Sequence, residues 1–301
     1  LFIHGWPFTS EIFEYQYNIL PKYNFRCISV DLRGFGNSDK PFDGYYYDDL
    51  ADDLYKVIKN IDVKSLTLAG FSMGGAIAIR YMARHKGYKV SKLALLGAAA
   101  PSFTKYPGYP YGLSKEEVDN IIKGIYEDKP KTISDFGNKL FASKISKEFK
   151  ELFSNIALKS TGYSTIKTAI SLRDENMFDD LKCIDVPTGI FHGILDEVCP
   201  FEFALELNKN IYCSKLYTFE KSELSFIFTT NDFILDQKIQ DESLECYLAN
   251  KYEYLYQLAF IKEENIKEKS AKYLYNISLT FKEKILNSPE IEFLRENIEP
   301  T

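Results

Sequence analysis

Residues 66–85, "LTLAGFSMGGAIAIRYMARH", join an apolar strand to a helix through a Gly-x-Ser-x-Gly turn. A turn of this kind holds its central serine, here Ser72, in a tight conformation that exposes the hydroxyl. Gly70 and Gly74 are needed because side chains at these positions would collide with the neighbouring helix and strand. The helix that follows points its positive end at the serine, which favours an oxyanion there. The segment therefore predicts a nucleophile at Ser72.

Two other interpretations of this turn remain open. One is a glycine-rich connection that only packs, and the other is a phosphate-binding loop. The phosphate-binding loop is disfavoured because the patterns GxGxxG and GxxxxGK[ST] are both absent from the segment.

Short apolar runs alternate with amphipathic helical patterns over residues 1–221, which indicates a mostly parallel, doubly wound sheet with helices on both faces. The predicted helices lie near residues 11–19, 46–60, 73–85 and 201–209. The predicted strands are LFIH, RCISVD, SLTLAG, KLALLG, TGIFHG and KLYTF. Reactive groups in such sheets gather in the loops after the strands. The candidate loops are HGWP, GFSMGG and DEVCP.

A helical insert is predicted at about residues 102–180, with helices over SKEEVDNIIKGIYED and SKEFKELFSNIALKS. Because it lies between two strands of the sheet, we expect it to cover the strand ends as a cap. Its aromatic content hints at a pocket for small apolar esters, formed with Phe103, Tyr106, Tyr109 and Tyr111.

Residues 222–301 differ in composition from the rest of the chain. They contain no glycine and hold 9 Lys+Arg against 15 Asp+Glu, so they carry the entire net charge of −6. Leucine, tyrosine and phenylalanine recur there at three- and four-residue spacings, which predicts an acidic module of two amphipathic helices with a boundary near Ser222. The acidic balance argues against nucleic-acid binding, since no basic stripe could neutralise phosphates.

The remaining composition predicts an ordinary cytoplasmic protein. No apolar run approaches the roughly eighteen residues that cross a bilayer. The five cysteines lack metal-ligand spacing and are typical of buried thiols in a reducing compartment.

Several segments stand together in one order: FIHGWP, DLRGFGNSDKP, LAGFSMGGAIAIRYMARH, LALLGAAAP, DDLKCIDVPTGIFHGILDEVCPFE and KLYTFEKS. In this the chain resembles the α/β-hydrolase fold over residues 1–222, in particular the small bacterial esterases and cofactor-free haloperoxidases, or perhydrolases. The resemblance implies a further hairpin ahead of Leu1, so that the N-terminal strands are missing. A late start together with an unfamiliar tail also favours a fusion or a misjoined gene.

The resemblance implies a role for four residues. Ser72 would be the nucleophile, and Asp196 in HGILDEVCP would be the acid that orients a histidine. The backbone N–H groups of Trp6 and Met73 would form the oxyanion hole, one from an early loop and one from the residue after the nucleophile. The alternative for Asp196 is a turn aspartate or a helix cap. No metal or organic cofactor is implied, because halide oxidation in this group proceeds through a peracid made at the same serine.

The histidine of the triad is missing from its expected place. The order in this fold is serine, acid, histidine, and in the group the histidine ends a segment similar to FEKSGH. Here the chain has FEKSELSFIF, so Leu224 stands at that position and no histidine follows His192. We expect structural roles for His192 in its turn, for His85 as a cation at a helix C-terminus, and for His4 beside the oxyanion loop.

The sequence therefore predicts a serine hydrolase of the esterase or perhydrolase type, acting on small carboxylic esters through an acyl-serine and impaired by the missing base. One alternative is a catalytically silent protein of the same fold that binds a small acyl ligand or, through its tail, a partner. Another is a chimeric fragment. The expected partner is a small-molecule ester or carboxylic acid, without nucleic acid or membrane, and an oligomer is compatible with the sequence.

Overall fold

The computed structural model describes residues 1–140 and 146–219. The acidic module predicted at 222–301, its boundary, and Leu224 all lie outside the described residues.

Within the described part of the chain, six strands form one sheet in the order β2-β1-β3-β4-β5-β6, and every neighbouring pair is parallel. Each of the six predicted segments overlaps one of them, so the predicted fold class is confirmed. The strands are β1 (Phe2–Ile3), β2 (Ser29–Val30), β3 (Leu66–Phe71), β4 (Val90–Leu96), β5 (Thr188–Gly193) and β6 (Ser214–Phe219).

Burial explains why the strands have the composition they do. Every residue of β5 is buried, whereas β6 at the edge of the sheet is only half-buried and alternates with exposed positions. A parallel strand covered on both faces is apolar throughout, and an edge strand tolerates polar side chains. The loops HGWP, GFSMGG and DEVCP follow β1, β3 and β5 and therefore meet at the same edge of the sheet.

Seven α-helices accompany the described strands: α1 (Glu14–Ile19), α2 (Tyr47–Asn60), α3 (Met73–Arg84), α4 (Lys115–Lys139), α5 (Lys147–Ala157), α6 (Gly162–Asp174) and α7 (Phe201–Asn210). The predicted helix at 11–19 is a 3-10 turn, Ser10–Phe13, followed by α1. In α2 the buried residues Leu50, Leu54 and Ile58 are four apart, which places them on one face of the helix. None of the described helices combines the length and apolar composition needed to cross a membrane.

The insert contains α4, α5 and α6. The sequence predicts α4 only as far as Asp128, where the helix is interrupted by non-helical backbone (φ −155°, ψ 85°). The Asp128 carboxylate accepts the N–H of Lys131 at 3.0 Å, so it serves as the N-terminal cap of a second helical segment. Pro130 lies in the first turn of that segment, where its missing N–H costs nothing.

Helix α6 is absent from the sequence-based prediction, and its composition gives the reason. Its buried face carries hydroxyl side chains, among them Ser164 and Ser171. Ser164 donates to the carbonyl of Gly34 at 2.8 Å and Ser171 to the carbonyl of Tyr45 at 2.9 Å. The buried face also carries Ile166, Ala169 and Leu172, but the hydroxyl side chains between them weaken the apolar periodicity that would indicate a helix.

Candidate active site

Ser72 occupies a strained backbone conformation between β3 and α3. Its φ of 50° and ψ of −117° lie outside the regions that non-glycine residues favour. The position is held on both sides: the Ser72 N–H donates to the Leu96 carbonyl at 2.9 Å, and the Ser72 carbonyl accepts from Gly75 and Ala99, each at 2.9 Å. Such strain costs of order 1–3 kcal/mol and persists only where the surroundings impose it.

The two glycines of the turn allow the backbone segments to approach each other closely. A Cβ at Gly70 would lie 2.3 Å from the Gly74 carbonyl oxygen, and a Cβ at Gly74 would lie 2.3 Å from the carbonyl oxygen of Ile3 in β1. Both obstacles are backbone atoms that cannot rotate away. The sequence-based reason for these glycines is therefore confirmed.

The loop after β1 lies against Ser72. A Cβ on Gly5 would come within 2.9 Å of the Ser72 Cβ, and Trp6 lines the same cavity as Ser72. The Trp6 indole N–H donates to the Thr165 carbonyl at 2.9 Å, which ties this loop to α6. Met73 is the first residue of α3, where backbone N–H groups have no intrahelical acceptor. Met73 thus follows Ser72 directly and Trp6 lines the same cavity, and their role as oxyanion donors stays a prediction.

Asp196 is buried in the loop after β5, with its residue 6% exposed. Its Oδ1 accepts the N–H groups of Val198 at 2.9 Å and Cys199 at 2.7 Å, so the carboxylate stabilises its own turn. Val198 also lines the cavity that contains Ser72. The loop that carries the predicted acid therefore reaches the predicted nucleophile.

Cys199 is a site residue that the sequence-based reasoning missed. Its thiol is fully buried, and the Ser72 side chain and the Asp196 carboxylate both influence the pKa of the thiol. Burial, followed by the Asp196 carboxylate, raises the pKa of this thiol well above its usual value. The thiol is accordingly protonated, so it is unsuited to accept a proton from Ser72. Its position three residues after Asp196, in the DEVCP loop, was the available signal.

Both ring nitrogens of His4 form hydrogen bonds with backbone groups. Its Nε2 accepts the Leu32 N–H at 3.0 Å, and its Nδ1 is 3.0 Å from the Gly5 carbonyl oxygen, to which it donates. Burial lowers the pKa of His4 to about 4. The ring is neutral at neutral pH and links the loop after β1 to the segment after β2. This is the structural role that the sequence predicts.

The other two histidines are also engaged away from Ser72. His192 donates from Nε2 to the Cys199 carbonyl at 2.7 Å, and burial lowers its pKa to about 4. Its Nε2 is 3.6 Å from Asp196 Oδ2, but the neutral ring forms no ion pair there. His85, the C-terminal cap residue of α3, bonds Asp52 on α2 at 2.8 Å and stacks on Tyr55.

A small cavity opens above Ser72. Its volume is about 20 Å³, counted as the space open to the centre of a water molecule. It is lined by residues of the sheet loops and of the insert: Trp6, Ser72, Phe103, Val118, Ile121, Phe136, Ala169, Leu172 and Val198. Helices of the predicted insert thus cover the carboxyl edge of the sheet at this point.

The aromatic residues expected at the pocket divide into two groups. Phe103 lines the cavity. Tyr109 instead packs against Tyr111, Phe178 and Phe203, with ring centroids 5.2–5.9 Å apart, and Tyr106 is 48% exposed. The apolar wall comes mainly from α4 and α6, which bring together residues far apart in the chain.

Comparison with known proteins agrees with this architecture. The family described as "alpha/beta hydrolase fold" matches residues 1–182. The AB hydrolase superfamily protein YisY of Bacillus subtilis (strain 168) is 52% identical over 222 residues, covering 74% of this chain and 83% of that protein. A putative non-heme chloroperoxidase of Synechocystis sp. is 34% identical over 221 residues, covering 71% and 80%.

A solved structure is similar as well. The esterase EaEST of Exiguobacterium antarcticum superposes with a TM-score of 0.73 at 42% identity, covering 80% of this chain and 88% of that one. Relatives of these kinds support hydrolase activity in the broad sense. The family match spans more than half of the chain, and the chain therefore belongs to the alpha/beta hydrolase fold family, in its haloperoxidase and esterase group.

Proposed function

We propose that this chain is a serine hydrolase of the esterase and perhydrolase type, which acts on small carboxylic esters through an acyl-Ser72 intermediate. The observation that carries the proposal is the strained Ser72 backbone, with φ of 50°, at the N-terminus of α3 inside an apolar cavity. This arrangement presents a hydroxyl to a bound ester in a site lined mainly by apolar side chains.

In the proposed reaction Ser72 Oγ bonds to the ester carbonyl carbon, and the carbonyl oxygen becomes an oxyanion. The backbone N–H groups of Met73 and Trp6 donate to that oxygen, and one such donor is typically worth about 10²–10³ in turnover. The alcohol then leaves with the proton that Ser72 gave up. Water releases the acyl group as a carboxylic acid, whereas hydrogen peroxide at the same step releases a peracid.

The proposed enzyme is impaired because the Ser72 proton lacks an evident acceptor. His4 and His192 are buried, neutral and bonded to backbone carbonyls, and His85 is bonded to Asp52. Asp196 would orient the base but has no histidine placed between itself and Ser72. Loss of a triad histidine costs on the order of 10⁶ in turnover, leaving roughly 10³–10⁴ over water from binding and the oxyanion hole.

The size of the cavity supports a short acyl group. One water molecule needs about 10–15 Å³ of the same kind of space, and the cavity offers about 20 Å³. That room suits an acetyl or propionyl group whose carbonyl oxygen lies at the oxyanion donors. We therefore expect acetate esters to be better substrates than esters of longer acids.

The test is hydrolysis of p-nitrophenyl acetate by the full chain, its Ser72→Ala variant and its Leu224→His variant. We expect slow turnover that Ser72→Ala abolishes and that Leu224→His raises by up to about 10⁶. A Ser72→Ala/Leu224→His double variant is the control, since any gain must pass through the serine. Equal rates for the full chain and Ser72→Ala, with no gain in Leu224→His, would contradict the proposal.

The second candidate is a silent member of the family that binds a small acyl ligand. All three histidines are engaged in structural contacts, which favours this silent function. The same experiment separates the two functions. Equal rates for the full chain and Ser72→Ala, together with recovery in Leu224→His, mean that the site is built but silent in this chain.

A further inference from the structure

A larger cavity, the groove, adjoins the one above Ser72. Its volume by the same measure is about 380 Å³, against about 20 Å³ above the serine. It lies between the loop after β1, the second half of α4, and α5. Its apolar surface comes from Pro7, Phe8, Ile133, Phe136, Phe153 and Ala157.

Among the described residues, Phe136 alone lines both cavities. Its half-buried ring meets the indole of Trp6 edge to face, with ring centroids 5.0 Å apart and an interplanar angle of 83°. Removing this ring would join a space of acetyl size to a space large enough for several more methylene groups.

We propose that Phe136 sets the length of the acyl chain that the Ser72 site accepts. When that ring is removed, the groove becomes a subsite for the distal part of a straight medium-chain acyl group. The proposal rests on the proposed function in one respect, because it places the substrate's acyl group in the Ser72 cavity. Polar residues such as Lys147 and Glu151 also line the groove, but apolar atoms form the larger part of its surface, so an aliphatic chain is the occupant. Each methylene that enters should tighten binding about fourfold.

Trp6 provides a readout that does not require catalysis. It is the single tryptophan of the chain, it lines the Ser72 cavity, and it touches Phe136. Its fluorescence therefore reports a ligand that enters the cavity or passes the Phe136 position. Straight-chain carboxylates from acetate to octanoate are suitable probes, since they are the products of the proposed reaction.

The experiment titrates these carboxylates into the full chain and into Phe136→Ala and Phe136→Leu variants. Phe149→Ala is the matched control, because it removes a phenylalanine of the same insert that is not among the residues lining either cavity. A double variant, Phe136→Ala/Ser154→Phe, refills the groove from α5, since Ser154 lines it. Hydrolysis of p-nitrophenyl acetate is measured in parallel.

We expect the full chain and Phe149→Ala to bind octanoate no more tightly than propionate. Phe136→Ala should gain about fourfold per methylene from butyrate to octanoate, with a smaller gain in Phe136→Leu and none in the double variant. An unchanged chain-length profile in both Phe136 variants, or a steep profile already present in the full chain, overturns the inference. If hydrolysis is absent but the chain-length profile of carboxylate binding changes in the Phe136 variants, only the proposed function is contradicted. If Ser72-dependent hydrolysis is present but this profile does not change, only the inference is contradicted.

Discussion

The loops at the carboxyl edge of the sheet and the helices of the insert both line the Ser72 cavity, yet they are held in place by different kinds of contact. At the sheet edge the contacts involve backbone groups. Gly74 packs directly against the Ile3 carbonyl, and the His4 ring bonds two backbone groups. In the insert, side chains make the connections. Lys129 donates to Ser160 Oγ at 2.9 Å.

The insert network continues from Ser160 to the cavity. Ser160 Oγ is 2.8 Å from Thr165 Oγ1, and the Thr165 carbonyl accepts the Trp6 indole N–H. A side chain can be replaced without moving the backbone, so substitutions in the insert can change the lining of the Ser72 cavity. Substitutions at the sheet edge would instead displace backbone. We infer that the reacting groups lie on the fixed part of the molecule, and that the size of the substrate is set by the replaceable part.

The sharpest test of this comparison substitutes one glycine in each region. Gly74→Ala forces a Cβ to 2.3 Å from a backbone oxygen, and overpacking of this kind typically costs 1–3 kcal/mol, occasionally more. We expect the free energy of unfolding to fall by about 3 kcal/mol or more in urea denaturation. Gly137→Ala in α4 is the control, since no atom of the described residues outside its own helix backbone and chain neighbours lies within 4 Å of its Cβ position. That variant should be neutral or stabilised by up to about 1 kcal/mol, and equal losses in both would contradict the contrast.

Acidic pH tests the sheet edge. His4 and His192 each have a pKa of about 4 in the folded chain against 6.5 for an exposed histidine. The unfolded chain therefore binds more protons between these values, so stability falls as the pH decreases from about 6.5 to 4. Each histidine should contribute on the order of 3 kcal/mol.

The measurement is urea denaturation between pH 4 and 7 for the full chain, His4→Gln and His192→Gln. Each variant should lose part of the slope of stability against pH. A slope that is unchanged in both variants would mean that these rings are not buried in their neutral form.

Alkaline pH tests the insert, with the smallest expected effect. Burial lowers the pKa of Lys129 from 10.5 to about 8, so the unfolded chain again binds more protons and stability rises as the pH increases through this range. The amine is partly solvated, which reduces the effect to on the order of 1 kcal/mol after allowance for screening. Lys129→Met should flatten the slope between pH 8 and 10.5, and Lys131→Met on the exposed side of the same helix should not.

Much of the fold and part of the site could be predicted because their signals are local. The turn around Ser72 is indicated by glycines two residues before it and two residues after it, and each buried strand is a short apolar run. His4 could be assigned a structural role from the sequence. The hydrogen bond that its Nε2 accepts from the Leu32 N–H, 28 residues away, was visible only in the folded structure. Helix α6 was missed because hydroxyl side chains are mixed with apolar ones on its buried face.

Periodicity and glycine spacing act over a few residues, so the amino-acid sequence alone was enough to predict the parallel sheet, the three loops at its carboxyl edge and the strand–turn–helix at Ser72. The identity of the side chains around Ser72 came only from the packing of distant elements. Val198 lines the Ser72 cavity from the loop after β5, and Phe136 lines it from the far half of a broken helix. Such contacts join residues more than sixty positions apart, and they depend on how the chain packs rather than on any pattern along it.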